Sequence, residues 1–167
     1  MTPLHLQGWT GEIAHAGNPA IAAREKIAFL CSRRYPASAV LRIYDWAKAA
    51  RDAGECVMSG FHSALERDVL EILLRGEQPL VLAPARGLQK TYPPAVKRAM
   101  DAGRLLVLSP FPESERRKTG ETSRKRNRFM IAVAARVVVG HAGEGSGLLP
   151  LLGAASAPVE WLGPRPR

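Results

Sequence analysis

Apolar residues along the chain fall in short blocks, separated by longer stretches where they recur every three or four positions. Ile27-Ala-Phe-Leu-Cys31 is a compact apolar run of the kind required by a strand buried on both faces. From Ala37 to Ala53, Val40, Leu41, Tyr44 and Ala47 share a helical spacing, and Gly54 supplies a stop. Cys56-Val-Met58 reads as a second strand. Leu65, Val69, Ile72 and Leu73 mark one face of a helix that runs to Arg75 and closes at Gly76. Pro79-Leu-Val-Leu-Ala83 is a third strand, Pro94 to Ala102 a short helix with Gly103 as its stop, and Leu105-Leu-Val-Leu108 a fourth strand. The polar stretch Ser109 to Thr122, with Pro110, Pro112 and Gly120, predicts a loop. Ser123 to Ala135 follows as a helix capped by Thr122 or Ser123. Val137-Val-Val139 is a fifth strand, Leu148 to Ala155 a last helix and Val159-Glu-Trp161 a final strand.

Strand and helix alternate with short connections, which implies right-handed crossovers and a three-layer α/β fold. A mainly parallel sheet carries helices on both faces. The expected division is an N-terminal extension over residues 1–18, one domain over 19–163 and a short Pro/Arg tail over 164–167. Open sheets of this type bind ligands outside the carboxyl ends of their strands, where the strand order reverses. The residues just after each strand are therefore the ones to read for chemistry.

Composition narrows the chemistry. The chain has 167 residues with 46% hydrophobic content, enough for one core and too much for wholesale disorder. No run reaches the roughly 18 apolar residues of a membrane helix. No secretory signal is expected in Met1 to Asn18, and two cysteines, Cys31 and Cys56, suit a reduced cytoplasmic setting. Lys and Arg number 24 against 15 Asp and Glu, a net charge of +9, which points to an anionic partner. The four histidines and two cysteines show no metal-ligand spacing, and phosphate-loop, dinucleotide and nucleophile-elbow signatures are absent. Neither a metal nor a cofactor is expected.

Each strand end carries a candidate. Ser32 and Arg33 follow the first strand and offer a hydroxyl and a guanidinium fork to phosphate oxygens. Ser59 and Gly60 follow the second, where Gly60 permits close backbone approach and Ser59 or Ser63 suits a helix cap. His62 and Glu66 then share a helical face, as an acid/base pair would, or simply as a cap beside a surface ion pair. Arg86, Gly87 and Lys90 follow the third strand and, with Tyr92, mix charge with an aromatic ring as single-strand sites do. Between Glu115 and Arg128 stand seven basic residues, including Arg124, Lys125, Arg126 and Arg128 beside Asn127. With a cap at Thr122 or Ser123 these cations would crowd the positive end of a helix dipole, a conflict that a bound anion removes. Gly145, Ser146 and Gly147 lie in the glycine-rich turn after the fifth strand and form a candidate phosphate cradle.

Read in order, these strand-end residues resemble the DNA-processing protein A (DprA/Smf) family from about Gly17 to Leu149. Gly17-Asn18 precedes the first strand, and Ser32-Arg33 matches the last two residues of the family's Gly-Ser-Arg signature. Ser59-Gly60 matches the start of its Ser-Gly-x-Ala-Arg-Gly-Ile-Asp motif. Gly87-Leu88 and Tyr92-Pro93 match Gly-Leu-Asp followed by Tyr-Pro. Phe111-Pro112 followed by Arg126-Asn127-Arg128 matches its Phe-Pro and Arg-Asn-Arg segment, and Ser146-Gly147 its closing Ser-Gly. Cys31 replaces the first glycine, and Phe61 to Glu66 replaces the Ala-Arg-Gly-Ile-Asp portion. The resemblance implies a Rossmann-like domain that binds single-stranded DNA in a positive pocket, forms a homodimer and serves a RecA-type recombinase.

Two other readings share this fold. One is a sensor module holding a nucleotide or nucleotide-derived ligand in the same cradle. The other is a phosphoribohydrolase similar to the LOG type, whose Pro-Gly-Gly-x-Gly-Thr-x-x-Glu motif carries a glutamate. The corresponding turn here, Gly143 to Pro150, has none in that position, so only His62 and Glu66 leave room for catalysis. The single-strand reading requires Arg33 and Arg126 to meet in one cavity.

Overall fold

The computed structural model describes residues 4–167. Seven strands form one sheet: β1 (Ala14–Gly17), β2 (Lys26–Cys31), β3 (Cys56–Ser59), β4 (Leu80–Leu82), β5 (Leu105–Ser109), β6 (Arg136–His141) and β7 (Val159–Trp161). Five α-helices connect them: α1 (Ala37–Asp52), α2 (Ala64–Leu74), α3 (Pro94–Asp101), α4 (Gly120–Val133) and α5 (Leu148–Gly153). The strand order is β1-β5-β4-β3-β2-β6-β7, parallel throughout except for β1. The chain winds outward from β2 to β5, then returns to the other side of β2 for β6 and β7. The switch in strand order therefore lies between β2 and β6.

Period-two alternation in the strands builds two cores. Ile27, Phe29, Val57, Leu80, Leu105 and Val107 face α1, α2 and α3. Ala28, Leu30, Met58, Val81, Leu106 and Val139 face α4, α5 and the N-terminal segment. The predicted apolar runs are thus buried on both sides, as a parallel sheet demands. Gly54 and Gly103 follow α1 and α3 at φ +73° and +74°, the left-handed stops expected of them. No helix of the described residues is long and apolar enough to cross a membrane.

Two elements differ from expectation. Ala14–Gly17, inside the segment read as an extension, pairs antiparallel with β5 and closes that edge of the sheet. Trp9 reaches from the same segment to stack edge-on against Phe129, with ring centroids 5.2 Å apart. The second difference is the start of α4. Thr119, not Thr122 or Ser123, is the N-cap: its side chain accepts from Thr122 N at 3.1 Å, and Thr122 Oγ1 accepts from Thr119 N at 2.8 Å. This reciprocal capping starts the helix at Gly120 and carries Arg124, Lys125 and Arg126 past its first turn. The expected crowding of cations at the helix end is therefore absent.

Candidate functional site

At the switch point the ends of β2 and β6 are tied together, Ser32 N donating to His141 O at 2.8 Å. Above them opens a cavity of about 610 Å³, walled by Ser32, Arg33, Arg124, Arg126 and Asn127 and by the Gly143 to Gly147 turn. Arg33 and Arg126, remote in sequence, do share it. Side-chain contacts refine the roles within this group. The Ser32 hydroxyl donates to Arg34 O at 2.7 Å, and Ser146 Oγ accepts from Leu148 N at 3.2 Å, so both serines shape their own loops. Cys31 also lines the cavity. Burial and Glu66 push its thiol up to about 12, against a smaller pull from the His141 backbone, which makes it a packing group rather than a nucleophile.

Arg126 is the centre of the arrangement. Its side chain is buried, Nη1 donating to Ala83 O at 3.1 Å and Nε to Asn127 Oδ1 at 2.8 Å. Burial lowers its pKa and Glu66 opposes the fall, yet a guanidinium stays charged in a protein. Gly60 makes this seating possible, because a Cβ there would stand 1.9 Å from Arg126 Nη1. Next to it Phe61 is held at φ +46°, a left-handed conformation unusual for a bulky residue and of order 1–3 kcal/mol in cost. The Phe61 ring is buried and its N–H donates to Ser59 Oγ at 3.3 Å, which fixes the bend and turns His62 toward the cleft.

A second cavity, of about 680 Å³, adjoins the first; His62, Ser123 and Arg126 form walls of both. Gly60 and Arg86 line it, together with Arg67 and Lys118, two cations to which sequence reasoning gave no role. Lys118 belongs to the basic run between Glu115 and Arg128; Arg67 carries no signal beyond its place one residue after Glu66. Lys118 Nζ lies 2.9 Å from His62 Nδ1. Burial first, then Arg86, Arg126 and Arg67, lower the Lys118 pKa, with Glu66 opposing. His62 is lowered by burial and by Lys118, again against Glu66, so its neutral ring accepts from the ammonium. Glu66 itself is a cap: Oε1 accepts from His62 N and Ser63 N, both at 3.0 Å, while Ser63 Oγ accepts from Glu66 N at 3.2 Å. The Glu66 carboxylate thus serves the start of α2 through Oε1, as the capping reading expects.

Four expected residues take other places. Ser59 is fully buried and serves Phe61. Gly87 is a packing position, where a Cβ would stand 2.3 Å from Pro112 O. Lys90 lies on a smaller cavity with Arg86 and Arg116, farther along the same sheet end. Arg128 faces a different cavity, with Trp9, Arg24 and Ala134, because two positions along a helix turn a side chain by about 200°. Lys125 turns from the cleft as well, its Nζ sitting 5.0 Å from the centroid of the Phe111 ring. The four ion pairs among the described residues are Arg51–Asp52, Arg75–Glu71, Lys97–Asp101 and Arg136–Glu55. Arg33, Arg67, Arg86, Lys118, Arg124 and Arg126 are in none of them. A cleft whose cations outnumber its carboxylates Glu66 and Glu144 and stand outside any ion pair, one of them buried, is suited to receive negative charge.

Known proteins share this architecture. DNA processing protein A from Streptococcus pneumoniae superimposes with a TM-score of 0.73 at 21% identity, over 90% of this chain and 54% of that one. DNA processing protein A from Helicobacter pylori, described for its single-stranded DNA binding mode, gives 0.74 at 19% identity, over 92% and 73%. The molybdenum cofactor binding protein of Rippkaea orientalis shares the fold more distantly, at 0.57 and 11% identity over 83% and 76%. This chain thus spans about half the length of the pneumococcal protein. No curated protein matches in sequence. The family model for DNA recombination-mediator protein A matches residues 11–157, most of the chain and every element of the cleft. This protein belongs to the DNA recombination-mediator protein A family.

Proposed function

We propose that this protein binds single-stranded DNA along the carboxyl end of its sheet and acts in DNA recombination. The observation that carries the reading is the convergence of Arg33, Arg124 and the buried Arg126 on one cavity without an ion-pair partner. A phosphate there satisfies charge that the protein leaves open, and further phosphates meet Arg67, Arg86 and Lys118. Ser32, Gly145, Ser146 and Gly147 shape the cradle rather than carry charge. The Helicobacter pylori relative, described as binding single-stranded DNA, supports the same choice of polymer. Self-association and a RecA-type partner belong to the same proposal through the family resemblance, and a cytoplasmic location through the two free cysteines.

Fluorescence anisotropy with labelled oligothymidylate tests the reading. Neutralising roughly three to six phosphates gives a slope of log affinity against log salt of about −2 to −4. Arg33→Ala should weaken binding and flatten that slope by about one phosphate's share. Affinity that is indifferent to salt overturns the proposal. A nucleotide sensor instead predicts saturable nucleoside phosphate binding that excess oligonucleotide does not displace.

A further inference from the structure

The second cavity has a composition that phosphate binding alone does not require. Among its cations, Arg67, Arg86, Arg98 and Lys118 stand with Arg126, outside any ion pair, beside a floor made by Leu70, Leu74, Leu82, Tyr92 and Val96, while Arg75 is paired with Glu71. These floor residues come from α2, β4, the loop after β4 and α3, so the pocket is built by packing rather than by one loop. Leu70 and Leu74 are only half-buried although they belong to an apolar helix face. Apolar side chains gain from contact with a flat, weakly hydrated group, whereas a phosphate gains nothing from them.

Three walls are common to this cavity and the arginine-lined cavity at the switch point: His62, Ser123 and Arg126. One nucleotide is too small to fill both rooms, which Arg126 lines in common. A strand can, with its backbone crossing the shared cations and one unit seated on each side. Resting on the single-strand reading above, we infer that the second cavity is a base-accepting pocket. A nucleobase lies on the Leu70, Leu74, Tyr92 and Val96 floor while its flanking phosphates meet Arg126, Lys118 and Arg86. Apolar contact of this kind tolerates any base, since every base has an apolar face.

The experiment compares oligothymidylate with an oligomer of the same length and phosphate count carrying abasic sites throughout. Wild-type protein should bind the thymidylate about tenfold more tightly. Leu70→Gln, on a half-buried helix position, and Ala95→Trp, which fills the cavity from an exposed position at the start of α3, should each bring that ratio close to one. Both should keep the wild-type salt slope, and circular dichroism should show them folded. Equal affinity of the wild type for both oligomers, with a steep salt slope, overturns the base pocket and leaves the phosphate reading intact. An unchanged ratio in both folded variants also overturns it. Failure to bind either oligomer overturns both proposals together.

Discussion

Gly60 leaves the room that the Arg126 guanidinium occupies. Gly60→Ala drives a Cβ into the guanidinium. It should cost about 1–3 kcal/mol in urea unfolding and weaken DNA binding in the same variant. Arg126→Lys keeps the charge but loses the fork that reaches Ala83 O and Asn127 together, so it should not restore affinity in an anisotropy titration. Arg128→Ala, by contrast, should leave affinity within about twofold, since that residue faces another cavity. His62 gives a pH dependence with a definite sign. Its pKa lies below the usual 6.5, lowered by burial and by Lys118, Arg126 and Arg67 against Glu66. The unfolded chain therefore takes up the proton first, and this group's contribution to stability is present above pH 6.5 and lost as pH falls through the lowered value. Urea midpoints should drop on acidification, and less so in His62→Gln. DNA affinity should move the opposite way, because a protonated His62 adds a cation to the cleft.

At the scale of elements, most of the sheet was legible because buried parallel strands must read as unbroken apolar runs. β1 was not. Ala14-His-Ala-Gly17 has no such run, and only its antiparallel partner β5 gives it strand form. The start of α4 is hidden for a local reason: Gly120 and the prolines before it look like loop, while the Thr119 and Thr122 side chains satisfy the first turn. Thr119→Ala should cost about 1 kcal/mol in chemical denaturation, and Ser123→Ala distinctly less. The Arg-Asn-Arg block shows the same limit in the site. As a motif it is one unit, but helical geometry sends Arg126 into the cleft and Arg128 away. The second cavity was legible only in part: Arg86 and Tyr92 stand out after a strand, but its floor is assembled from α2, β4, the loop after it and α3 across the tertiary structure.

Across the whole molecule, charge and topology act together. A net +9 attracts nucleic acid from every side, and at the switch point Arg33, Arg124 and Arg126 converge on one cavity outside every ion pair among the described residues. Encounter should thus be fast at low salt and slow sharply as salt rises, which stopped-flow association rates will register. The place of Arg126 in the walls of both cavities sets how those contacts combine. A single guanidinium facing both rooms cannot lend its full charge to two occupants at once. Energies measured on one side therefore depend on what sits on the other, and free energies from variants on opposite sides should fail to sum. The cleft responds as one ligand-sized instrument, with its midpoint as the part that keeps the halves informed of each other.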